Sequence, residues 1–182
     1  MVCRIFSLPK LFLILAMPLW LSFSAIPLEE KFAFPAGEEG AQQMLEFVLQ
    51  ANDKERAELS LFLRPEKGDC EAIFDETYAR KIFRYQKRLE KLAGIVVRPL
   101  LEDQTEYLLW ETTPEELIDY TGEARNFPGG YREMAQFMPD ELPVYRFKFV
   151  QPGHRLGSAY DMLVHINGKW RLIHRPWVVL FE

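Results

Sequence analysis

Val164-His165-Ile166-Asn167-Gly168-Lys169-Trp170-Arg171-Leu172 is the stretch whose reading decides the fold. Asn-Gly between two runs of alternating residues is a strong hairpin signal, because both central positions of the favoured two-residue turn require positive φ. With Ile166 and Lys169 flanking the turn, His165 lies opposite Trp170, Leu163 opposite Leu172, and Asp161 opposite His174. Strict alternation then places these six side chains on one face of a sheet. It places Tyr160, Met162, Val164, Ile166, Arg171, Ile173 and Arg175 on the other.

Outward from the hairpin, Ala159–Ile166 and Val144–Val150 read as strands joined by a turn at Pro152-Gly153, and Lys169–Arg175 returns until Pro176 ends the ladder. Further upstream, Thr105–Thr112 reads as a strand. So does Ile95–Leu100, with Pro99 marking an edge or a strand end. Pro114 opens a short helix, and another covers Tyr131–Met138. Before Gly94 the period is helical. Tyr78, Ile82, Tyr85, Leu89 and Leu92 form one apolar stripe on a helix from Glu76 to Ala93. A short helix over 70–74 precedes it. Asp53 is a candidate N-cap for a helix running to Leu63, which Pro65 terminates. Met44, Phe47, Val48 and Ala51 line the first helix, after Gly37. Residues 26–36, with Pro27, Glu29, Glu30, Lys31 and Pro35, show no periodicity and read as a flexible tether.

Helices followed by an antiparallel meander give an α+β class, with N-terminal helices packed on one face of a curved sheet. In that element order, and in the closing hairpin, the chain resembles the NTF2-like (SnoaL-like, cystatin-like) α+β cone folds. The stretches FKFVQPG (147–153) and NGKW (167–170) also resemble phrases in bacterial exported proteins. The cone resemblance implies a pocket on the inner sheet face, and it implies a fold more than a function, because that superfamily hosts isomerases, dehydratases, ligand carriers and partner-binding modules.

Asp161 opposite His174 is the one carboxylate–imidazole pair that this register forces together. Such a carboxylate fixes the imidazole tautomer and raises its pKa, as an acid–base catalyst requires. An ordinary cross-strand charge pair fits the same description. No nucleophile or second acid is placed beside it. His154, His165 and His174 offer no i, i+4 helical pair and no cysteine partner, so neither metal nor cofactor is expected. Cys70 lies between Asp69 and Glu71, which hold its thiol protonated, and reads as a small core hydrophobe. Phe127-Pro128-Gly129-Gly130 lacks the Lys and Ser/Thr of a phosphate loop.

Arg80, Lys81, Arg84, Lys87, Arg88 and Lys91 stand against a single Glu90 in the 80–91 stretch of the longest helix. Within this run Arg80, Arg84, Lys87, Arg88 and Lys91 form a candidate surface for an anionic partner. A solvated outer helix face is the simpler reading.

The N-terminus carries an address. Arg4 and Lys10 precede the uncharged run Leu11–Phe23, and Ser22-Phe23-Ser24 offers small residues for signal-peptidase cleavage. Thirteen apolar residues are too few for a spanning helix, which needs roughly 20. Cleavage after residue 25 leaves 157 residues, the size of one domain. It removes two of the 22 basic residues and none of the 27 acidic ones, moving the formal charge from −5 to −7. That balance is a poor match to nucleic acid. Only Cys70 remains, so no internal disulfide forms and stability comes from packing.

The sequence therefore reads as a signal peptide (1–25), a tether (26–36) and a single α+β domain (37–182), exported to the periplasm or secreted, with no stable membrane span. A binding role for a small apolar ligand or a protein partner is placed first. The alternatives are an isomerase, dehydratase or hydrolase using Asp161 and His174, and an envelope-associated module docked by its basic helix.

Overall fold

The computed structural model describes residues 27–92 and 94–181, so the leader expected over residues 1–25 lies outside the described residues. The class is α+β. Helices α1 (Leu28–Lys31), α2 (Glu38–Gln50), α3 (Asp53–Phe62), α4 (Lys67–Ile73) and α5 (Glu76–Leu92) come first. Strand β1 (Glu106–Thr112), helices α6 (Pro114–Asp119) and α7 (Gly130–Ala135), and strands β2 (Val144–Val150), β3 (Gly157–Ile166) and β4 (Lys169–Leu172) follow. The four strands form an antiparallel meander in the order β1-β2-β3-β4.

The hairpin closes as the sequence dictates. Asn167 and Gly168 both have positive φ, 51° and 74°. Ile166 pairs with Lys169, His165 with Trp170, Val164 with Arg171 and Leu163 with Leu172. His165 and Trp170 meet edge to face, with centroids 5.2 Å apart. The ladder is shorter than expected. It ends at Leu172, and Arg175 adopts a left-handed conformation that turns the chain into a 3-10 segment over Pro176–Leu180.

Alternation along β3 is broken once. Tyr145 pairs with Leu163, but the next residue, Arg146, pairs with Asp161. Met162 is the extra residue of a β-bulge, with φ of 60°. The bulge reverses the facing of everything before it. Tyr160 joins Leu163 in one core cluster, stacked on Phe147 at 5.2 Å, while Met162 and Val164 belong to the other. Asp161 is therefore on the face of Arg146, not on that of Leu163 and His165 as strict alternation required.

The sheet is covered on both faces, where the sequence reading placed helices on one. Tyr145, Phe147, Phe149, Tyr160, Leu163, Trp170 and Leu172 pack with Met44, Leu45 and Val48 of α2 and with Leu59 of α3. Val144, Met162, Val164 and Ile173 pack with Cys70 and Ile73 of α4, Ala79, Ile82 and Tyr85 of α5, and the α6–α7 region. The reason is visible in β2, whose apolar residues occupy one face and whose Val144 joins the other.

Three local expectations are corrected. Residues 27–36 are not a free tether. They contain α1, Phe32 is fully buried, the indole nitrogen of Trp170 donates to the Pro35 carbonyl at 2.9 Å, and Lys169 pairs with Glu29. The N-cap of α3 is Asn52 rather than Asp53. Its side chain accepts from the Glu55 amide and Glu55 reaches back to the Asn52 amide, which makes a capping box. Ile95–Leu100 is not a strand. Its amides bond to side chains instead of a ladder: Val97 to Ser60 Oγ, Arg98 to the Tyr160 hydroxyl, and Leu100 to Gln104 and Ser158.

An ion-pair cluster ties the hairpin to α4. Arg171, almost fully buried, donates to Asp69 at 2.6 Å, to Glu66 at 3.0 Å and to the Phe62 carbonyl at 2.6 Å. Asn167 of the turn donates to the same Asp69. Among the described residues no helix is long and apolar enough to cross a membrane.

Candidate functional site

Two buried side-chain atoms without a hydrogen-bond partner among the described residues, Tyr131 Oη and His174 Nδ1, lie beside the buried Arg146–Asp161 pair under α7 and the C-terminal segment. Buried polar atoms are nearly always satisfied, so two orphans in one place mark a site. Each has its own positioning device. Alternation in Val144-Tyr145-Arg146-Phe147-Lys148-Phe149 keeps three aromatics in the core and sends Arg146 and Lys148 to the opposite face. The Met162 bulge turns Asp161 to meet Arg146 as an ion pair, Nε to Oδ1 at 2.7 Å. The backbone of His174 is clamped at both ends by Gln86 of α5, which accepts from its N–H at 3.1 Å and donates to its carbonyl at 2.9 Å.

Aromatic rings wall the cluster. Trp110, the β1 partner of Arg146, lies 5.9 Å from the guanidinium and 5.6 Å from the Lys148 ammonium. Trp177 meets Tyr131 edge-on at 4.5 Å and carries the Arg175 guanidinium at 5.9 Å. Gly130 lets Trp177 approach, because a Cβ there would sit 2.5 Å from the indole. Met162 and Arg175, two non-glycine residues with positive φ, flank the cluster. Such strain persists only where the surroundings hold it.

Electrostatics follow from burial and crowding. Burial pushes the Asp161 carboxyl up, against the pull of Arg146, His174 and Lys148. Burial pushes the His174 imidazole down, against the pull of Asp161. The Lys148 ammonium is lowered by burial and then by Arg146 beside it. The Tyr131 phenol is held far above its ordinary range by burial and by Asp161. Arg146 and Lys148 thus act on one carboxylate, Asp161, with Arg175 near Tyr131 and His174, and leave the site electropositive within an acidic protein.

The two residues singled out by the sequence are both here, within electrostatic reach of one another. The cross-strand pairing expected between them is not formed, since the ladder ends at Leu172, Asp161 turns to Arg146, and His174 Nδ1 has no partner among the described residues. The shift of His174 is also opposite to the expected rise, because burial outweighs the carboxylate. Arg146 and Lys148 were legible as cations alternating with core aromatics. Tyr131 and Trp177 carried no sequence signal beyond being aromatic.

The candidate basic surface is separate. Arg80, Arg84, Lys87, Arg88 and Lys91 are all exposed on the outer side of α5, opposite Ile82 and Tyr85. Cys70 is fully buried, and burial with Asp69 and Glu71 pushes its thiol up to about 12. Comparison with protein-family models, with curated proteins and with solved structures finds no match to this chain.

Proposed function

We propose that the chain is an exported binding domain, periplasmic or secreted, whose site is the Tyr131–Arg146–Asp161–His174 cluster and whose ligand is a small molecule bearing an anionic group. The observation that carries this reading is a buried Arg146–Asp161 ion pair beside two buried polar atoms, Tyr131 Oη and His174 Nδ1, that have no partner among the described residues, on an electropositive, aromatic-walled spot. Leaving one such atom unsatisfied costs about 1–3 kcal/mol, so a group that completes the set is held firmly. Water could complete hydrogen bonds but not the excess of cations, and an anion does both. The site chemistry replaces the apolar ligand of the sequence reading with a charged one that has an apolar body to set against Trp110 and Trp177. The NTF2-like cone, with its ligand on the inner sheet face, is the analogy behind placing the ligand on this face of the sheet.

Titration with acetate, benzoate and phosphate, followed by the His174 ring signals and by tryptophan fluorescence, tests the proposal. Benzoate should bind more tightly than acetate, and Arg146→Gln should weaken both at least tenfold. Absence of any response at millimolar anion, or equal binding by Arg146→Gln, would overturn it. One observation favours the enzyme alternative: His174 presents an unpartnered, neutral imidazole nitrogen beside a carboxyl whose pKa is raised, which suits an isomerase, dehydratase or hydrolase. Proton exchange at the α-carbon of bound substrate candidates, lost in His174→Gln, would select that reading.

A further inference from the structure

The outer face of α5 is a second candidate site, independent of the cluster above. Arg80, Arg84, Lys87, Arg88 and Lys91 recur at helical spacing and fall within an arc of about 100°, over roughly 16 Å of helix. Local acids answer only part of this charge. Glu76 takes Arg80 at 3.4 Å, while Glu90 is shared between Lys87 at 3.0 Å and Arg64 at 3.8 Å. Among the described residues Arg84 and Lys91 have no ion-pair partner, while Arg88 lies 5.4 Å from the Tyr85 ring and Lys81 5.5 Å from the Tyr78 ring.

Beneath the cations lies apolar surface. Phe83, Arg84, Lys87, Arg88, Lys91 and Leu92 line a shallow depression of about 430 Å³ at the C-terminal half of the helix. Lys87 stands 5.6 Å from the Phe83 ring, and Leu92 is 76% exposed. A cationic rim over an apolar floor is the chemistry of a bilayer interface, where headgroup phosphates meet the rim and the glycerol and upper acyl region meet the floor. Nucleic acid would use the cations and leave Leu92 and Phe83 without a purpose.

We propose that α5 docks the protein onto an anionic lipid surface, with headgroup phosphates over Arg84, Lys87 and Lys91 and with Leu92 entering the interface. The docked orientation leaves the opposite side of the molecule, beyond the sheet, facing water.

The test is co-sedimentation of the full chain with vesicles of phosphatidylcholine alone and of phosphatidylcholine mixed with phosphatidylglycerol, at low and high salt. The apolar N-terminal run contributes to both vesicle types and Arg4 and Lys10 before it favour the anionic ones, so the readout is the part of the anionic preference that substitution of α5 removes. Arg84→Gln/Lys87→Gln/Lys91→Gln lies on an exposed face, and circular dichroism checks that it folds. That variant should lose the preference by about 100-fold, as three surface cations imply. High salt should also remove it, and Leu92→Ser should reduce it at unchanged charge. Equal binding to both vesicle types, or an unaltered preference in the triple variant, overturns the proposal. So does a preference for DNA or polyglutamate over anionic vesicles.

Discussion

His174 shows how a single residue departs from its pairing rule. An adjacent carboxylate raises an imidazole, yet here burial is the larger cause and the pKa falls below 6.5. NMR titration should place His174 below that value, and Asp161→Asn should lower it further by removing the one contribution that raises it. A value above 6.5 would contradict the burial argument. The sign for stability follows. Folded His174 resists protonation, so its contribution is full above the ordinary 6.5 and is lost as pH falls through the folded value. Asp161 works the other way, because its folded pKa is raised: its contribution is full below 3.8 and is lost as pH rises through the folded value. Arg171 makes a different point. It anchors Asp69, Glu66 and a carbonyl, so Arg171→Ala should cost about 3–5 kcal/mol by stranding Asp69 in the core, as read from urea unfolding. A loss under 1 kcal/mol would mean that Asp69 finds water instead. Nothing in the sequence around Arg171 indicated this role, because its partners lie about a hundred residues away.

Elements were legible wherever the local pattern and the tertiary context agreed. The Asn167-Gly168 turn, the apolar stripe of α5 as far as Leu89 and the β2 alternation all lie within a few residues of the signals that encode them, whereas Leu92, read as the last member of that stripe, is exposed. The failures share a cause: side chains from distant segments substitute for local bonding. Ile95–Leu100 has strand composition, but Ser60, Gln104, Ser158 and Tyr160 satisfy its amides, so it never joins the sheet. The Met162 bulge has no glycine to announce it, and it alone moves Asp161 to the other face. The segment before α2 lacked periodicity, yet it packs by single large residues. Gly40 records that contact, since a Cβ there would lie 1.6 Å from the Pro35 carbonyl oxygen. Gly40→Ala should therefore displace residues 32–36 and lower stability by about 1–3 kcal/mol, with increased amide exchange around Phe32. A neutral substitution would show that the close approach of Pro35 to Gly40 is not needed to hold the segment.

At the scale of the whole molecule, the sheet is a wall common to two cores. Trp170 belongs to the core under α2 and α3, while Trp110 and Trp177 pack against the core under α4–α7. Neighbouring residues of one strand feed opposite cores, as Leu163 and Val164 do in β3. One core cannot loosen without uncovering the strands that complete the other. This coupling predicts one cooperative transition rather than two, despite two separate clusters. The tryptophans report it without added labels. With Trp20→Phe in both variants, Trp170→Phe leaves a signal weighted to the α4–α7 side, and Trp110→Phe/Trp177→Phe one weighted to the α2–α3 side. Urea curves from the two variants should each coincide with far-UV circular dichroism of the same variant. The dependence of stability on urea, which scales with the surface exposed, should also be the same for both. Separated midpoints within either variant would mean that the cores unfold independently. The bulge, the clamp of Gln86 on His174 and the polar cluster would then depend on the α4–α7 core alone, and the binding proposed for that cluster would survive loss of the other side.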